Sequence, residues 1–140
     1  KRAKEFGAVA LINPQTDDAV AAIKALTHGA GADHTLDSSG KADGRLIAVR
    51  AARPWGTACF VGEGGDVTID VSPHMLRKQL TIVGSWTFST SIQADCARFV
   101  ADRKIGVDHL FTHRWKLDQA EEAYRVFDRQ TEGKGVFLMQ

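Results

Sequence analysis

Cysteine is scarce in this chain of 140 residues, which has only Cys59 and Cys96. Two isolated cysteines provide neither the spacing of a zinc site nor a disulfide framework. We interpret both as small core residues of a protein in a reducing compartment, and we predict a cytoplasmic location. The sequence also lacks an apolar run long enough to cross a bilayer, so we expect no membrane partner.

A surplus of charge of either sign is also missing. Eighteen basic and seventeen acidic residues leave a formal net charge of +1. We therefore expect no nucleic acid partner, because proteins that bind nucleic acids carry a marked basic surface. A hydrophobic fraction of 44% and a charged fraction of 25% are ordinary for a globular protein, and the length suffices for a buried core.

Glycine, in contrast, is plentiful, and three glycines follow the most apolar stretch of the chain. Residues 56–61 form this stretch, and Gly62, Gly64 and Gly65 come after it. A continuous apolar run that ends in turn residues is typical of a strand buried on both faces in a parallel sheet. Ligands of open α/β sheets bind beyond the carboxyl ends of the strands, where glycine lets them approach the backbone. Taken alone, the stretch is equally consistent with a ligand-binding edge and with a strand that is simply followed by a loose turn.

Strands and helices alternate in the first half of the chain. The pattern predicts strands at 9–12, at 33–36 and in the stretch after Gly56. A helix capped by Thr16 or Asp17 and a second helix around 46–49 lie between them. Residues 53–56 are expected to stop the second helix. This order predicts a parallel sheet with right-handed crossovers.

The second half of the chain is less regular. Predicted strands lie at 67–71, 80–86, 110–115 and 135–139. Predicted helices begin at Ser72, at the capping box Thr90–Gln93 and at Asp118. The second of these helices is expected to end at Gly106. The inner face of this second helix should hold Ile92, Cys96, Phe99 and Val100. The inner face of the third helix should hold Ala120, Ala123, Tyr124 and Phe127.

Seven short motifs together resemble one family. They are Gly31-Ala32-Asp33, Asp37-Ser38-Ser39-Gly40, residues 56–62, Ile82-Val83-Gly84-Ser85, residues 112–117, residues 120–124 and residues 133–136. In this order they are similar to the C-terminal portion of a zinc-type alcohol or polyol dehydrogenase of the medium-chain dehydrogenase/reductase superfamily. The resemblance extends over essentially all 140 residues.

The resemblance implies an α/β fold. Residues 1–86 would form part of a Rossmann-like, doubly wound parallel sheet that lacks its first strand and glycine-rich turn. Residues 87–140 would be a C-terminal segment that returns to the catalytic domain. The family's zinc ligands and proton relay match no position in this chain, so we expect no catalytic or metal-binding residue here. We expect a fragment that is inactive by itself, with zinc bound in an N-terminal domain.

The activity implied by the resemblance is hydride transfer between a nicotinamide cofactor and a small alcohol or polyol. The cofactor would be NAD or NADP, and the residue that distinguishes them has no counterpart in this chain. A zinc-free quinone or enoyl reductase of the same superfamily remains an alternative. So does a non-catalytic Rossmann-like module for dimerisation or ligand binding.

Nine residues match the family's cofactor-binding segments. They are Ser38, Ser39 and Gly40 near the adenosine half, Val61, Gly62 and Glu63 beside the nicotinamide ribose and carboxamide, and Ser85, Trp86 and Thr87 along the carboxamide. Small residues there let a flat, polar ligand reach backbone N–H and C=O groups. Trp86 is larger than the residue usual at its position. The resemblance also implies a homodimer joined through residues 80–85, and an apolar edge strand there would suit such pairing.

Other catalytic arrangements do not fit the sequence. His109 and His113 would flank a strand about 13 Å apart, too far to share a zinc ion. Ser38, with His34 and Asp37 nearby, lacks the glycine that a nucleophile elbow requires two residues earlier. Tyr124 is followed four residues later by Asp128, so the tyrosine–lysine pair of short-chain dehydrogenases is missing.

Overall fold

The structure is a computed structural model that describes residues 2–87, 89–129 and 133–139. The chain divides into two compact units, residues 1–87 and residues 88–140. The assignment of residues 1–86 to a dinucleotide-binding domain and of 87–140 to a catalytic domain stays a prediction. None of the helices in the described residues is long and apolar enough to cross a membrane.

The first unit is built around a parallel sheet of three strands in the order β1-β2-β3. The strands are β1 (Ala32–Asp37), β2 (Ala52–Phe60) and β3 (Thr81–Gly84). The helices are α1 (Arg2–Glu5), α2 (Ala19–Leu26) and α3 (Ala42–Ala51), with a π-helical turn at Ser72–Leu76. Because α3 connects two parallel neighbours, this arrangement confirms the predicted α/β fold.

The core of this unit lies where α3 packs against β1 and β2. Val49 is fully buried, and alanines from the helix and from β2 are buried in the same unit. The Thr35 hydroxyl donates to the Ala48 carbonyl oxygen over 2.9 Å, which ties β1 to the helix. Small side chains let the helix approach the sheet closely, so this core is compact although it holds few large residues.

A bulge interrupts the pairing of β1 with β2. Ala32 pairs with Ala52, but His34 pairs with Thr57, so β2 carries three extra residues between these pairs. Residues 53–56 were expected to stop the helix, but α3 already ends at Ala51, and these residues lie within β2, which begins at Ala52. Proline is tolerated inside β2 because the bulge leaves that segment outside the ladder.

Two predicted strands of this unit do not form. No described strand pairs with residues 9–12, and Val9 is 95% exposed. This segment therefore has neither a hydrogen-bonded partner strand nor a core against which its apolar side chains could pack. Residues 67–71 also lie outside both sheets, because their end already turns helical. There the Asp70 carbonyl oxygen accepts from the His74 N–H over 3.0 Å.

The start of α2 differs from the prediction by one or two residues. Asp18 is the cap, and its Oδ1 accepts from the Ala21 N–H over 3.0 Å. Asp17 is not available for capping because its Oδ2 accepts from the Asn13 N–H in the preceding turn, also over 3.0 Å. Side-chain hydrogen bonds within a turn thus compete with capping, and the sequence pattern alone does not distinguish them.

The second unit contains a parallel pair of short strands and two helices. They are α4 (Thr90–Asp102), β4 (His113–Trp115), α5 (Ala120–Asp128) and β5 (Gly135–Phe137). Turns of 3-10 helix occupy Val107–Leu110 and Leu117–Gln119. The predicted strand at 110–115 is therefore shortened at its start by the first of these turns.

Helix α4 begins and ends one turn or less from the predicted positions. The Ser89 hydroxyl accepts from the Ile92 N–H over 3.3 Å, so Ser89 rather than Thr90 is the cap. The helix ends at Asp102 and not at Gly106. Lys104 takes a left-handed conformation (φ 50°), and the Ile105 N–H donates back to Val100 over 3.0 Å, which closes the helix.

The predicted inner faces of α4 and α5 are mostly exposed. Of the eight residues expected to face inward, Ala123 is buried, while Ile92, Phe99, Tyr124 and Phe127 are each close to half exposed or more. The physical reason is that a two-stranded ladder with three residues per strand offers too little surface to cover two helices.

Candidate functional site

The carboxyl ends of the three strands in the first unit lie at one edge of the sheet. Asp37 is level with Phe60, and Phe60 is level with Gly84, because the strands are parallel and in register. The turns that follow these strands therefore start side by side. They are turn 1 (residues 38–40), turn 2 (residues 61–65) and turn 3 (residues 85–87).

The nine predicted cofactor-binding residues all lie in these turns. The structure thus brings three stretches together that are at least twenty residues apart in sequence. This edge is where ligands of open α/β sheets bind. The geometry is compatible with the prediction but does not test the role of any single residue, so the site residues stay a prediction.

Asp37, the last residue of β1, organises turn 1. Its residue surface is 4% exposed. The carboxylate accepts from the Ser39 hydroxyl (2.6 Å), the Ser39 N–H (3.1 Å) and the Gly40 N–H (3.1 Å). Burial alone would raise the pKa of Asp37, but hydrogen bonds from Ser39 and Gly40 and the charge of Arg45 together hold its pKa below the usual value.

Turn 1 and turn 2 approach each other through their glycines. Gly40 has φ +67°, and a Cβ atom at this position would overlap the carbonyl oxygen of Glu63. A Cβ at Gly62 would overlap the Gly40 backbone nitrogen. The N–H groups of Val61 and Gly62 also donate to the Asp37 carbonyl oxygen over 2.9 and 3.0 Å. Side chains are excluded here because two backbones occupy the space.

Arg45 of α3 connects turn 1 with turn 2. Its Nη2 donates to the Gly62 carbonyl oxygen over 2.8 Å, and its Nη1 donates to that of Gly65. Its Nε lies 3.7 Å from Oδ2 of Asp37, and the guanidinium carbon is 5.8 Å from the centre of the Phe60 ring. The sequence patterns did not identify Arg45 as part of the site. The one feature of the sequence that could have pointed to it is its position in the first turns of the helix that follows Asp37.

Turn 3 is attached more loosely. The Ser85 N–H donates to the Phe60 carbonyl oxygen over 3.0 Å and so extends the pairing of β3 with β2. Trp86 is 68% exposed, and Thr87 takes a left-handed conformation with φ 42°. An exposed indole and a strained threonine follow each other at the edge where the other two turns meet.

The structure also bears on the catalytic triad and the histidine pair that the sequence argued against. His34 and Asp37 are three residues apart on β1, so their side chains point to opposite faces of the sheet and cannot form a triad with Ser38. The premise for separating His109 from His113 is wrong, because His109 lies in a 3-10 turn and not on a strand. In residues 2–87, 89–129 and 133–139, no three His, Cys, Asp or Glu side chains form a group that could hold a metal ion.

Comparison with known proteins decides the family. The family described as zinc-binding dehydrogenase matches residues 1–103 of the chain. The chain belongs to the zinc-binding dehydrogenase family. The sequence is similar to an uncharacterised zinc-type alcohol dehydrogenase-like protein, YphC, of Escherichia coli, with 40% identity over 114 residues. That match covers 81% of this chain and 32% of YphC.

Two further relatives agree with this assignment. The L-threonine 3-dehydrogenase of Pyrococcus horikoshii is 31% identical over 145 residues, which cover 99% of this chain and 40% of that enzyme. The benzyl alcohol dehydrogenase of Acinetobacter calcoaceticus has a similar structure, with a TM-score of 0.83 and 27% identity over 99% of this chain and 39% of its own. The chain therefore spans well under half the length of these relatives.

The predicted membership of the zinc-type alcohol dehydrogenases is confirmed by these comparisons. The shared fold also confirms the Rossmann-like α/β class. Family membership associates the chain with oxidoreductases that use a nicotinamide cofactor and zinc.

Proposed function

We propose that turns 1, 2 and 3 form part of the nicotinamide dinucleotide site of an NAD- or NADP-dependent alcohol or polyol dehydrogenase. The observation that carries this proposal is the convergence of the three turns at the carboxyl edge of a parallel sheet, in a chain of the zinc-binding dehydrogenase family. The turns are rich in small residues, so a flat ligand can reach their backbone groups.

The hydrogen bonds of turn 1 distinguish residues that shape the turn from residues that are free to contact a ligand. The Ser39 hydroxyl donates to Asp37 and accepts from the Lys41 N–H over 3.1 Å, so it is engaged within the protein. Ser38 is exposed, and its hydroxyl makes no hydrogen bond to the described residues. We therefore assign the contact with the adenosine half of the cofactor to Ser38 and to the Gly40 backbone, with Ser39 shaping the turn.

Turns 2 and 3 would hold the nicotinamide half. Val61, Gly62 and Glu63 are assigned to the ribose and carboxamide. In turn 3 the Ser85 N–H already donates to Phe60, so the backbone groups of Trp86 and Thr87 are assigned to the carboxamide. When bound, the nicotinamide supplies the hydride chemistry. The residues of this chain bind and orient it.

Zinc has no fitting donor set in the described part of the chain. We therefore assign no step through zinc to these residues, and we propose that the metal of the parent protein is bound elsewhere. The parent protein here means the natural gene product that contains these 140 residues. We also propose that the 140 residues alone are inactive, because the family's zinc ligands and proton relay match no position in them.

The substrate class follows the relatives. One of them is an L-threonine 3-dehydrogenase and another a benzyl alcohol dehydrogenase, and both names describe hydroxyl-bearing substrates. We propose a small alcohol or polyol for the parent protein. A cytoplasmic location stays a prediction from cysteine usage.

A homodimer through residues 80–85 is part of the proposal. In the described residues β3 pairs only with β2, so its other edge is unpaired, and Val83 is partly exposed there. An unpaired apolar edge favours pairing with a second copy. Light scattering should give twice the protomer mass for the parent protein and a smaller mass for Val83→Pro. A monomer in both cases would contradict the dimer.

The proposed function is tested by titrating the parent protein with NADH and NADPH and following nicotinamide fluorescence. We expect saturable binding of one of them with a dissociation constant below about 1 mM. Ser38→Ala should weaken binding, while Ser91→Ala, a change in the other unit, should not. A folded parent protein that binds neither nucleotide would refute the proposal.

Zinc content and turnover then separate the alternatives. Stoichiometric zinc together with alcohol oxidation supports the proposed dehydrogenase. If the protein contains no zinc and uses NADH or NADPH to reduce a quinone or an enoyl substrate, it is the zinc-free reductase. Nucleotide binding without any turnover would indicate a binding module.

A further inference from the structure

Arg45 has an unusual set of partners for a surface helix residue. Its side chain is 13% exposed. It donates to two backbone carbonyl groups of turn 2, and it faces the buried carboxylate that holds turn 1. The Nε atom has no hydrogen bond partner in the described residues, so its attraction to Asp37 at 3.7 Å is purely ionic.

One guanidinium group therefore connects both turns. Asp37 accepts three hydrogen bonds from Ser39 and Gly40, which determines the path of turn 1. Arg45 binds the carbonyl oxygens at both ends of the segment from Gly62 to Gly65. This segment consists largely of glycine, which orders poorly without an external constraint.

We infer that Arg45 is a positioning residue for the nucleotide: it holds turns 1 and 2 in one arrangement before the cofactor arrives. This inference rests on the proposed function, because the turns matter for binding only if the nucleotide occupies them. Arg45 itself contacts the protein and is not expected to touch the cofactor. Its effect is preorganisation, which reduces the ordering cost that binding would otherwise incur.

Arginine suits this role better than lysine. The planar guanidinium group directs separate N–H groups to the two carbonyl oxygens, and its central carbon lies over the Phe60 ring, 5.8 Å from the ring centre. A lysine at this position would keep the charge near Asp37 but could reach only one of the carbonyl groups at a time. Arg45→Lys should therefore retain part of the effect.

Arg53 offers a matched control in the same two strands. It pairs with Asp33 and donates to the Pro54 carbonyl oxygen over 2.8 Å. Its interactions are thus of the same kind, with one carboxylate and one backbone carbonyl, but they lie at the amino ends of β1 and β2. A change at Arg53 removes comparable contacts without affecting the turns.

The experiment compares Arg45→Met, Arg45→Lys and Arg53→Met in the parent protein with two measurements. Amide hydrogen exchange without nucleotide should be faster in residues 38–40 and 61–65 of Arg45→Met, and unchanged there in Arg53→Met. The dissociation constant for the preferred nucleotide should rise by about tenfold in Arg45→Met, less in Arg45→Lys, and not in Arg53→Met.

Each other outcome overturns the inference in a recognisable way. Unchanged exchange in the turns of Arg45→Met would show that Arg45 does not hold them. Faster exchange with an unchanged dissociation constant would show that the turns do not need to be held for binding. If the unmodified protein binds no nucleotide, the proposed function fails, and the role of Arg45 in binding fails with it. The exchange data would still show whether Arg45 holds the turns. Should Arg45→Met not fold, Arg45→Lys provides both measurements.

Discussion

The two units of this chain respond differently to the same kind of sequence pattern. Helix α3 and helix α4 both carry apolar residues at helical spacing. Val49 of α3 is fully buried, while Ile92 and Phe99 of α4 are exposed by about half. The first helix has a three-stranded sheet beneath it, whereas the described residues of the second unit form a sheet of two short strands, β4 and β5. Apolar spacing marks which face can be buried, but the available sheet surface decides whether it is.

The largest effect should come from placing a charge in the better packed unit. Val49→Asp introduces an unpaired carboxylate into a site without solvent, and we expect a loss of more than about 4 kcal/mol in the free energy of unfolding. Ile92→Asp on the exposed face of α4 should change it by less than about 0.5 kcal/mol. Urea denaturation of the 140-residue chain measures both. Similar losses would mean that α4 is buried as deeply as α3.

The second effect tests how closely turns 1 and 2 approach each other. Gly40→Ala adds a Cβ where the Glu63 backbone lies and forces a left-handed alanine, so we expect a loss of about 3 kcal/mol. Gly64→Ala is the control, because Gly64 also has a positive φ (+87°) but open space around it. The control should lose about 1 kcal/mol. Equal losses would show that the contact between the turns is looser than described.

The third effect concerns Asp37 and depends on pH. Its pKa is lowered in the folded chain, so the carboxylate stabilises the fold above its unfolded value of about 3.9, and this stabilisation is lost as the pH falls through the folded value. Asp37→Asn should cost about 2 kcal/mol at pH 7, because the ionised acceptor of three hydrogen bonds is gone. The difference from the unmodified protein should shrink below about pH 4.

Thermal unfolding between pH 3 and pH 7 measures this difference. A gap between Asp37→Asn and the unmodified protein that stays constant over this range would contradict the lowered pKa of Asp37.

The smallest effect sharpens the comparison within the second unit. Ser89→Ala removes the hydroxyl that accepts from the Ile92 N–H, and we expect a loss of about 1 kcal/mol. Thr90→Ala, one residue later and without a capping bond, should change stability little. Amide exchange in the first turn of α4 reports both changes. No acceleration in Ser89→Ala would mean that packing, not the cap, holds this helix end.

The parts that could be predicted from the sequence share one property: they depend on neighbours in the chain. The strand at 33–36 and the helices around 46–49 and from Thr90 and Asp118 were found at nearly the right places. Residues 9–12 and 67–71 were predicted as strands and are not, because a strand also needs a partner to hydrogen bond with. The edge of the sheet with its nine candidate residues could be predicted because parallel strands end on one side.

Tertiary structure decided what no pattern encodes. The sequence determined the alternation of strands and helices, the glycine turns and the resemblance to a dehydrogenase family, since these follow from local spacing and residue type. Only the folded chain brought Arg45 to Asp37 and to the Gly62 and Gly65 carbonyl groups. The physical reason is that those contacts join three segments separated in sequence, and their energies arise only when packing has excluded water between them.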